Sequence, residues 1–336
     1  MTMPPIRLRS VTVERWPVAG AFTISRGAKT HVDVVLCTLS DGTHEGRGEG
    51  TPIYYHGETA EDCAAAIRAV ADRPGAFDRE ALRSLMPPGA ARNALDCALW
   101  DMEAKRGGQP AWALAGLPEP LPLPTAFTIS LDAPEAMAQA AQAARARGFT
   151  LLKCKLTGEG DRARVAAVRT GAPDAQLIVD ANESWAGLDV AAEAAALGAL
   201  GVTLIEQPLP AGRDTALADI RSAAVPFCAD ESCQSLADLD RLAGYQAINI
   251  KLDKAGGLTE ALAMAKVARA RGMKLMIGCM LATSLGIAPA LLLGQLAEWV
   301  DLDGALLLAR DRPGAAGADS GMVKAGNLWG LCSPAT

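Results

Sequence analysis

Two lysines and three acids sit at the ends of short apolar runs, and together their types suit proton transfer beside a divalent cation. In LLKCKL, residues 151–156, Lys153 and Lys155 stand two positions apart with Cys154 between them. On a strand successive side chains alternate, so the two ammonium groups share a face and Cys154 takes the other. Two cations on one face of a buried strand repel each other and lose hydration unless anions stand nearby. The next three apolar runs bring those anions: Asp180 in QLIVDAN, Glu206 in VTLIEQP and Asp230 in PFCADES. Three carboxylates in one place need a cation in turn. Mg²⁺ suits them, because it takes carboxylate oxygens octahedrally at about 2.0–2.1 Å and leaves positions for water or substrate. Zinc fits less well, since catalytic zinc recruits imidazole, and His31, His44 and His56, the three histidines of the chain, all lie outside these runs.

A carboxylate held on Mg²⁺ accepts the charge of an enediolate when the neighbouring α-proton leaves, and a lysine on each face can remove or return that proton. Lys155 and Lys251, which ends AINIK, are the two candidates. A free lysine titrates at about 10.4 and must be tuned down to around 7–8 to act as a base near neutrality. Lys153 and the cation are the expected source of that shift. A single acid at a strand end is as readily a helix cap or a surface ion pair. Three on successive strands, with lysines on the strands to either side, favour the site.

Eight apolar runs must carry these residues: TAFTIS, TLLKCKL, QLIVDAN, VTLIEQP, PFCADES, AINIKL, KLMIGC and WVDLDG. Each is followed by an Ala-rich helical pattern, within about 180 residues, which is the rhythm of a βα barrel. No glycine fingerprint follows any of them, so an open dinucleotide-binding sheet is the weaker reading. In a βα barrel chemistry gathers at the C-terminal strand ends. Lys153, Lys155, Asp180, Asn182, Glu206, Asp230, Glu231, Lys251, Asp253, Asp301 and Asp303 all fall there, with Cys279 and Met280 ending the seventh strand. Ahead of the barrel, residues 6–50 read as a β meander with SDGT as a hairpin turn, and Thr59 to Lys105 as helical. A helix is expected to start near Asp161, and two others to stop at Arg-Gly, in MAQAAQAARARG and LTEALAMAKVARARG. GLPEPLPLP, residues 116–124, reads as a linker.

Composition sets the outer limits. The chain has 336 residues, 50% hydrophobic and 21% charged, with a net charge of −6, so nucleic acid is an unfavourable partner. The apolar stretches are broken by charge, Gly or Pro, and no export signal opens the chain, so a cytoplasmic location and no membrane partner are expected. Eight cysteines without CxxC spacing read as reduced core residues. Cys279 lacks a histidine beside it and reads as packing rather than as a nucleophile.

In order along the chain, KCK, VDANESW, IEQPLP, ADES and NIKLDKAGG resemble the enolase superfamily, in its muconate-lactonizing-enzyme-like subgroup. The lysine base beside a Mg²⁺-stabilised enediolate is a pattern of that superfamily. Within it, the DLDG of strand eight, with ARNALDCALWD, IGCML and FTISRG, is similar to the L-Ala-D/L-Glu dipeptide epimerases. The resemblance implies an enolase-like α/β fold: an α+β capping domain over residues 1–118, a modified (β/α)7β barrel over 119–305, and a segment 306–336 returning to the cap. It implies one Mg²⁺ on Asp180, Glu206 and Asp230, with Lys155 and Lys251 as the acid/base pair. The dipeptide ammonium would meet Asp301 and Asp303, Lys153 would face the bound carboxylate, and Arg26 would read an acidic second side chain, a task that suits a guanidinium. Thr128, Asn182, Cys279 and Met280 are further candidates for the pocket wall. Lys251 is preferred over Lys254, which reads as a loop or surface residue. The activity implied is epimerisation of the C-terminal residue of a dipeptide, a murein-derived one among the options. N-acylamino acid racemisation, o-succinylbenzoate synthesis and cycloisomerisation stand as alternatives, and family members often form homo-oligomers.

Overall fold

The computed structural model describes residues 4–24, 27–220, 225–315 and 318–331. The N-terminal meander is antiparallel, β1 (Arg7–Ile24), β2 (Gly27–Ser40) and β3 (Glu45–Gly50), with Asp41 closing the β2–β3 turn by accepting from the Thr43 and His44 amides. Three helices follow, α1 (Ala60–Ala71), α2 (Arg79–Leu85) and α3 (Ala90–Gly107), then a short α4 (Ala111–Leu114). The EGRGEG of β3 has a packing reason: a Cβ on Gly46, Gly48 or Gly50 would run into the backbone of α3 at Ala98, Ala94 and Ala90. Helix and strand therefore touch backbone to backbone, and α3 ends where Gly108 turns left-handed at φ 61°.

The barrel strands are β5 (Ala126–Ile129), β6 (Leu151–Lys155), β7 (Gln176–Asp180), β8 (Val202–Glu206), β9 (Phe227–Ala229), β10 (Ala247–Lys251), β11 (Lys274–Gly278) and β12 (Trp299–Asp301), preceded by a two-residue β4 (Leu123–Pro124). All eight pair in parallel and in sequence order. The seam between β12 and β5 is bridged by Leu302 N–H to Thr125 Oγ1 and Thr128 N–H to Asp303 Oδ2. The connecting helices are α5 (Pro134–Ala146), α6 (Asp161–Gly171), α7 (Val190–Ala199), α8 (Leu252–Ala255), α9 (Leu258–Ala270) and α10 (Ser284–Gly294). Two connections differ from the sequence expectation: after β8 and β9 the described helical pieces are 3-10 turns, Thr215–Asp219 and Leu236–Arg241. Asp214, Asp219, Asp238 and Asp240 punctuate these stretches, and Asp favours caps and turns over helix interiors.

Alternation along the strands builds the interior in tiers. Ala126, Leu151, Ile178, Leu204, Cys228, Ala247, Met276 and Trp299 form one apolar cluster, one residue from each strand. Two residues further along each strand the inward position is Thr128, Lys153, Asp180, Glu206, Asp230, Asn249, Gly278 and Asp301 in turn. An apolar plug thus underlies a polar floor.

The cap docks through a buried polar face of α3. Arg92 donates to the Ala255 and Gly256 carbonyls, Asn93 to Asp253 and the Glu49 carbonyl, Trp100 Nε1 to Thr259, and Asp96 accepts from Thr259. Asp253, placed by sequence at a strand end, instead faces the cap and also accepts from the Thr51 amide. The last residues of the Pro-rich stretch are not only a linker, because β4 pairs with β14 (Met322–Val323), which pairs with β13 (Ala318–Asp319). Beyond these, Arg312 reaches Glu14 and Glu49, and Trp329 Nε1 donates to the Cys97 carbonyl. Among the described residues no helix is long and apolar enough to cross a membrane.

Candidate active site

On β6, Lys153 and Lys155 point into the barrel while Leu152 and Cys154 pack outward in the main core. Lys153 Nζ lies 2.6 Å from Glu206, 2.8 Å from Asp301 and 3.1 Å from Asp180. Lys155 Nζ donates to Asp180 Oδ2 at 2.7 Å and to Asn182 Oδ1 at 3.3 Å. Across the barrel, Lys251 Nζ donates to Asp230 Oδ2 at 2.6 Å. Strands two and six of eight face each other, so the two ammonium groups approach the cavity from opposite walls. One cavity is lined by Thr128, Lys153, Lys155, Asn182, Asp230 and Lys251, with Cys279, Met280, Asp301 and Asp303 completing the floor side.

The loops after β7 and β8 are held in sparsely populated conformations. Asn182, Glu183 and Gln207 have φ of 42°, 69° and 36°, a region that non-glycine residues seldom adopt and that clusters at functional sites. The turn lets the Asn182 amide bond Asp180 Oδ1 at 2.9 Å, and Gln207 Oε1 accepts from the Asp230 and Ser232 amides. Strained turns after β7 and β8 therefore fix Asp180 at the end of β7 and Asp230 just beyond β9.

Oxygen atoms of Asp180, Glu206 and Asp230 lie within 4.8 Å of one another, one from each. Glu206 Oε2 is buried and lacks a hydrogen-bond partner, although Lys153 is close. A closed set of carboxylate oxygens fits a hard divalent cation such as Mg²⁺. Electrostatics agree. Burial would raise all three acids, but Lys155 and Lys153 hold Asp180 below the ordinary carboxylate range, and Lys251 and Lys254 do the same for Asp230. Glu206 goes the other way, to about 8, through burial and the charge of Asp180. Three such anions do not coexist without added positive charge. Burial pulls Lys153 and Lys251 down, yet Asp301 and Glu206 carry the first, and Asp230 and Glu206 the second, well above the usual lysine value. For Lys251 this opposes the depressed value expected from sequence, because neighbouring carboxylates outweigh both burial and Lys153.

At the β12 end, Asp301 Oδ2 is taken by Lys153 while Oδ1 is buried without a hydrogen-bond partner. Asp303 accepts from the Thr128 amide, and burial with the Asp301 charge pushes it up to about 7. Cys279 donates its thiol to the Asp301 carbonyl at 3.4 Å, and burial raises it well above an ordinary thiol, so it is not a nucleophile in this state. Arg26 lies outside the described residues. Its near neighbour Lys29, which sequence reading passed over, lines the cavity with Nζ 3.8 Å from the centre of the Tyr54 ring, and burial lowers its pKa. Tyr54 and Tyr55 were also missed; an adjacent tyrosine pair in a chain with three tyrosines was the available signal.

Lys254 overturns its sequence reading. It is 1% exposed, and its ammonium bonds Asp230 Oδ1 and the Asp230 carbonyl, both at 2.5 Å, the Cys233 carbonyl at 2.9 Å and the Asn249 carbonyl at 3.1 Å. The chain turns directly from β10 into α8, which swings this lysine back under the strand ends instead of out to solvent. Asn249 was overlooked as well, though it shares the inward face of Lys251 two positions on; its Nδ2 donates to Glu206 Oε1 at 2.7 Å.

Residues 7–116 match the mandelate racemase / muconate lactonizing enzyme N-terminal domain, and residues 135–323 the enolase C-terminal domain-like family. An L-Ala-D/L-Glu epimerase of Escherichia coli is 45% identical over 308 residues, 90% of this chain and 96% of that one. An N-acetyl-D-glutamate racemase from a Pseudoalteromonas species is 42% identical over 83% of this chain and 89% of its own. Among solved structures, an enolase family member from Agrobacterium tumefaciens with homology to dipeptide epimerases, holding sodium and L-Ala-L-Glu, superposes with a TM-score of 0.92. It is 49% identical, and the match covers 97% of this chain and 100% of that one.

Proposed function

The chain belongs to the mandelate racemase and muconate lactonizing enzyme family of the enolase superfamily, and from that premise we propose that it is a Mg²⁺-dependent dipeptide epimerase. It inverts the α-carbon of the C-terminal residue of L-Ala-L-Glu and L-Ala-D-Glu by 1,1-proton transfer. The observation that carries this reading is the pair Lys155 and Lys251, each bonded to a different acid of the cation-binding triad and each on its own wall of one cavity.

Inversion takes a proton from one face and returns one to the other, so it needs two acid/base groups. Lys155 and Lys251 are assigned these roles, one neutral and one protonated at the start of each turnover; a divalent cation on Asp180 and Asp230 would offset the carboxylate charge that otherwise keeps the lysines protonated. When bound at Asp180, Glu206 and Asp230, a divalent cation supplies positive charge that stabilises the substrate carboxylate as its α-proton leaves. Lys153, held by three acids, stays protonated and adds a fixed charge beside the same carboxylate. Asn182 holds Lys155 in line, and the tier of apolar residues beneath keeps water from the floor.

Asp301 and Asp303 are assigned the substrate ammonium group. Asp301 Oδ1 is a buried acceptor with no donor among the described residues, a costly arrangement that a cationic group from the substrate would resolve. This favours a dipeptide over an N-acylamino acid. The likeness to an N-acetyl-D-glutamate racemase supports the second reading, N-acyl racemisation, but an amide nitrogen brings no charge to those carboxylates. An acidic side chain on the second residue is assigned to Lys29, a cation in the cavity wall over the Tyr54 ring, and to Arg26. A cytoplasmic location goes with this reading, supported by the seven described cysteines being free thiols.

The deciding experiment follows the α-proton of L-Ala-L-Glu by NMR in D₂O with Mg²⁺. Exchange at the glutamate α-carbon is expected, followed by appearance of the L-Ala-D-Glu signal. No exchange from a folded, Mg²⁺-loaded protein would overturn the proposal.

A further inference from the structure

The polar floor contains one neutral amide and one residue with no side chain, on neighbouring strands. Asn249 on β10 is fully buried, and Gly278 on β11 lies beside it. A Cβ at Gly278 would come within 2.6 Å of Asn249 Oδ1, 2.9 Å of Nδ2 and 3.1 Å of Cγ, so the amide occupies the space that any other residue at 278 would fill. Asn249 Nδ2 donates to Glu206 Oε1 at 2.7 Å, while its Oδ1 is buried and has no hydrogen-bond partner among the described residues. A buried acceptor left unmade is unfavourable, and a leucine of similar size would avoid that cost. The cost is retained for the donor. The bond also sorts the two oxygens of Glu206: Oε1 is fixed by Asn249, and Oε2 makes no hydrogen bond among the described residues, with only the charge of Lys153 Nζ 2.6 Å away. Its strand is anchored from below as well, since the Asn249 carbonyl accepts from Lys254.

We propose that Asn249 is a positioning residue of the metal centre, which orients Glu206 so that Oε2 faces the cation, and that residue 278 is glycine to seat Asn249. This inference rests on the reading that Asp180, Glu206 and Asp230 hold a divalent cation. Asn249 touches neither substrate nor cation; it acts through Glu206. A neutral donor is the right kind of group for this, because it fixes the carboxylate without competing with the cation as a nearby ammonium does.

Titration calorimetry of Mg²⁺ into protein stripped of divalent cations tests it, with thermal midpoints measured without Mg²⁺ alongside. Asn249→Leu is expected to weaken Mg²⁺ binding about 10–100-fold, the usual effect of losing a group that orients a metal ligand. Gly278→Ala keeps the amide but displaces it, and is expected to weaken binding in the same direction. The double variant should bind no worse than Asn249→Leu alone, because both changes break one bond. Turnover of Asn249→Leu should recover most of its loss at saturating Mg²⁺. If Asn249→Leu does not fold, Asn249→Ala removes the amide without adding bulk and is read in its place. A folded variant with Mg²⁺ affinity within twofold of wild type overturns the inference, even if its thermal midpoint falls. Wild-type protein that takes up no Mg²⁺ overturns the cation reading instead, so the two failures are distinct.

Discussion

Replacing Lys254 by methionine is the sharpest test of how this site is built. The change keeps the length of the side chain and removes its ammonium, which in the folded protein has four oxygen acceptors and almost no contact with solvent. Asp230 would keep Lys251 on Oδ2 but lose the cation on Oδ1, and the carbonyls of Asp230, Cys233 and Asn249 would lose a shared donor. Removing one partner of a buried ion pair costs about 3–5 kcal/mol, because the charge left behind is uncompensated. A surface lysine in a loop would give changes within about 0.5 kcal/mol. The two readings of this residue therefore differ roughly sixfold or more in expected effect. Urea unfolding followed by circular dichroism, without divalent cations, reads the difference directly as a drop in midpoint at constant slope. In thermal unfolding the same loss amounts to a fall on the order of 10 °C. A loss below about 1 kcal/mol would refute the argument, since it would mean that Asp230 does not depend on Lys254 for its burial.

Other outcomes follow from the same geometry. Lys155→Ala and Lys251→Ala should each lower epimerisation by at least about 10²-fold, while each leaves α-proton exchange measurable from only one of the two epimers; exchange from both in either variant argues against a base on each face. Lys29→Met should lower kcat/KM for L-Ala-L-Glu by about 10-fold, the value of roughly 1.4 kcal/mol for a half-buried ion pair, and leave L-Ala-L-Leu unaffected in a dipeptide panel. Asp303 holds its proton to about 7, and ammonium capture needs the ionised form. The kcat/KM of dipeptide epimerisation should therefore rise as pH climbs through about 7 and lose that limb in Asp303→Asn; a flat profile from pH 6 to 8 would count against the assignment.

Much of this was legible from residue order. A lysine at i and i+2 on a strand, an acid closing each of the next three, and a lysine on the sixth place themselves once the barrel rhythm is seen, because the period of a strand is fixed at two. The same rule reaches Asn249, which lies two before Lys251, but a neutral amide in AINIK carries no charge to draw attention to it. Lys254 was out of reach for a different reason. Its direction depends on how the chain leaves β10, and a helix beginning at Leu252 reverses what a loop would have done. Lys29 sits on the cap, where only the docking of α3 against the β10 exit determines which strand edge meets the cavity.

Local pattern was thus enough for the elements, the barrel and the chemical kind of each acid and lysine, since apolar alternation and side-chain type are properties of short stretches. Which oxygen of each carboxylate is held and which is left, which lysine is structural, and that carboxylates raise rather than lower Lys251 are decided by groups far apart in sequence. Hydrogen bonds and charges act over a few ångströms, and only folding brings Glu206 to Asn249, Asp230 to Lys254 and Asp301 to Lys153 within that distance.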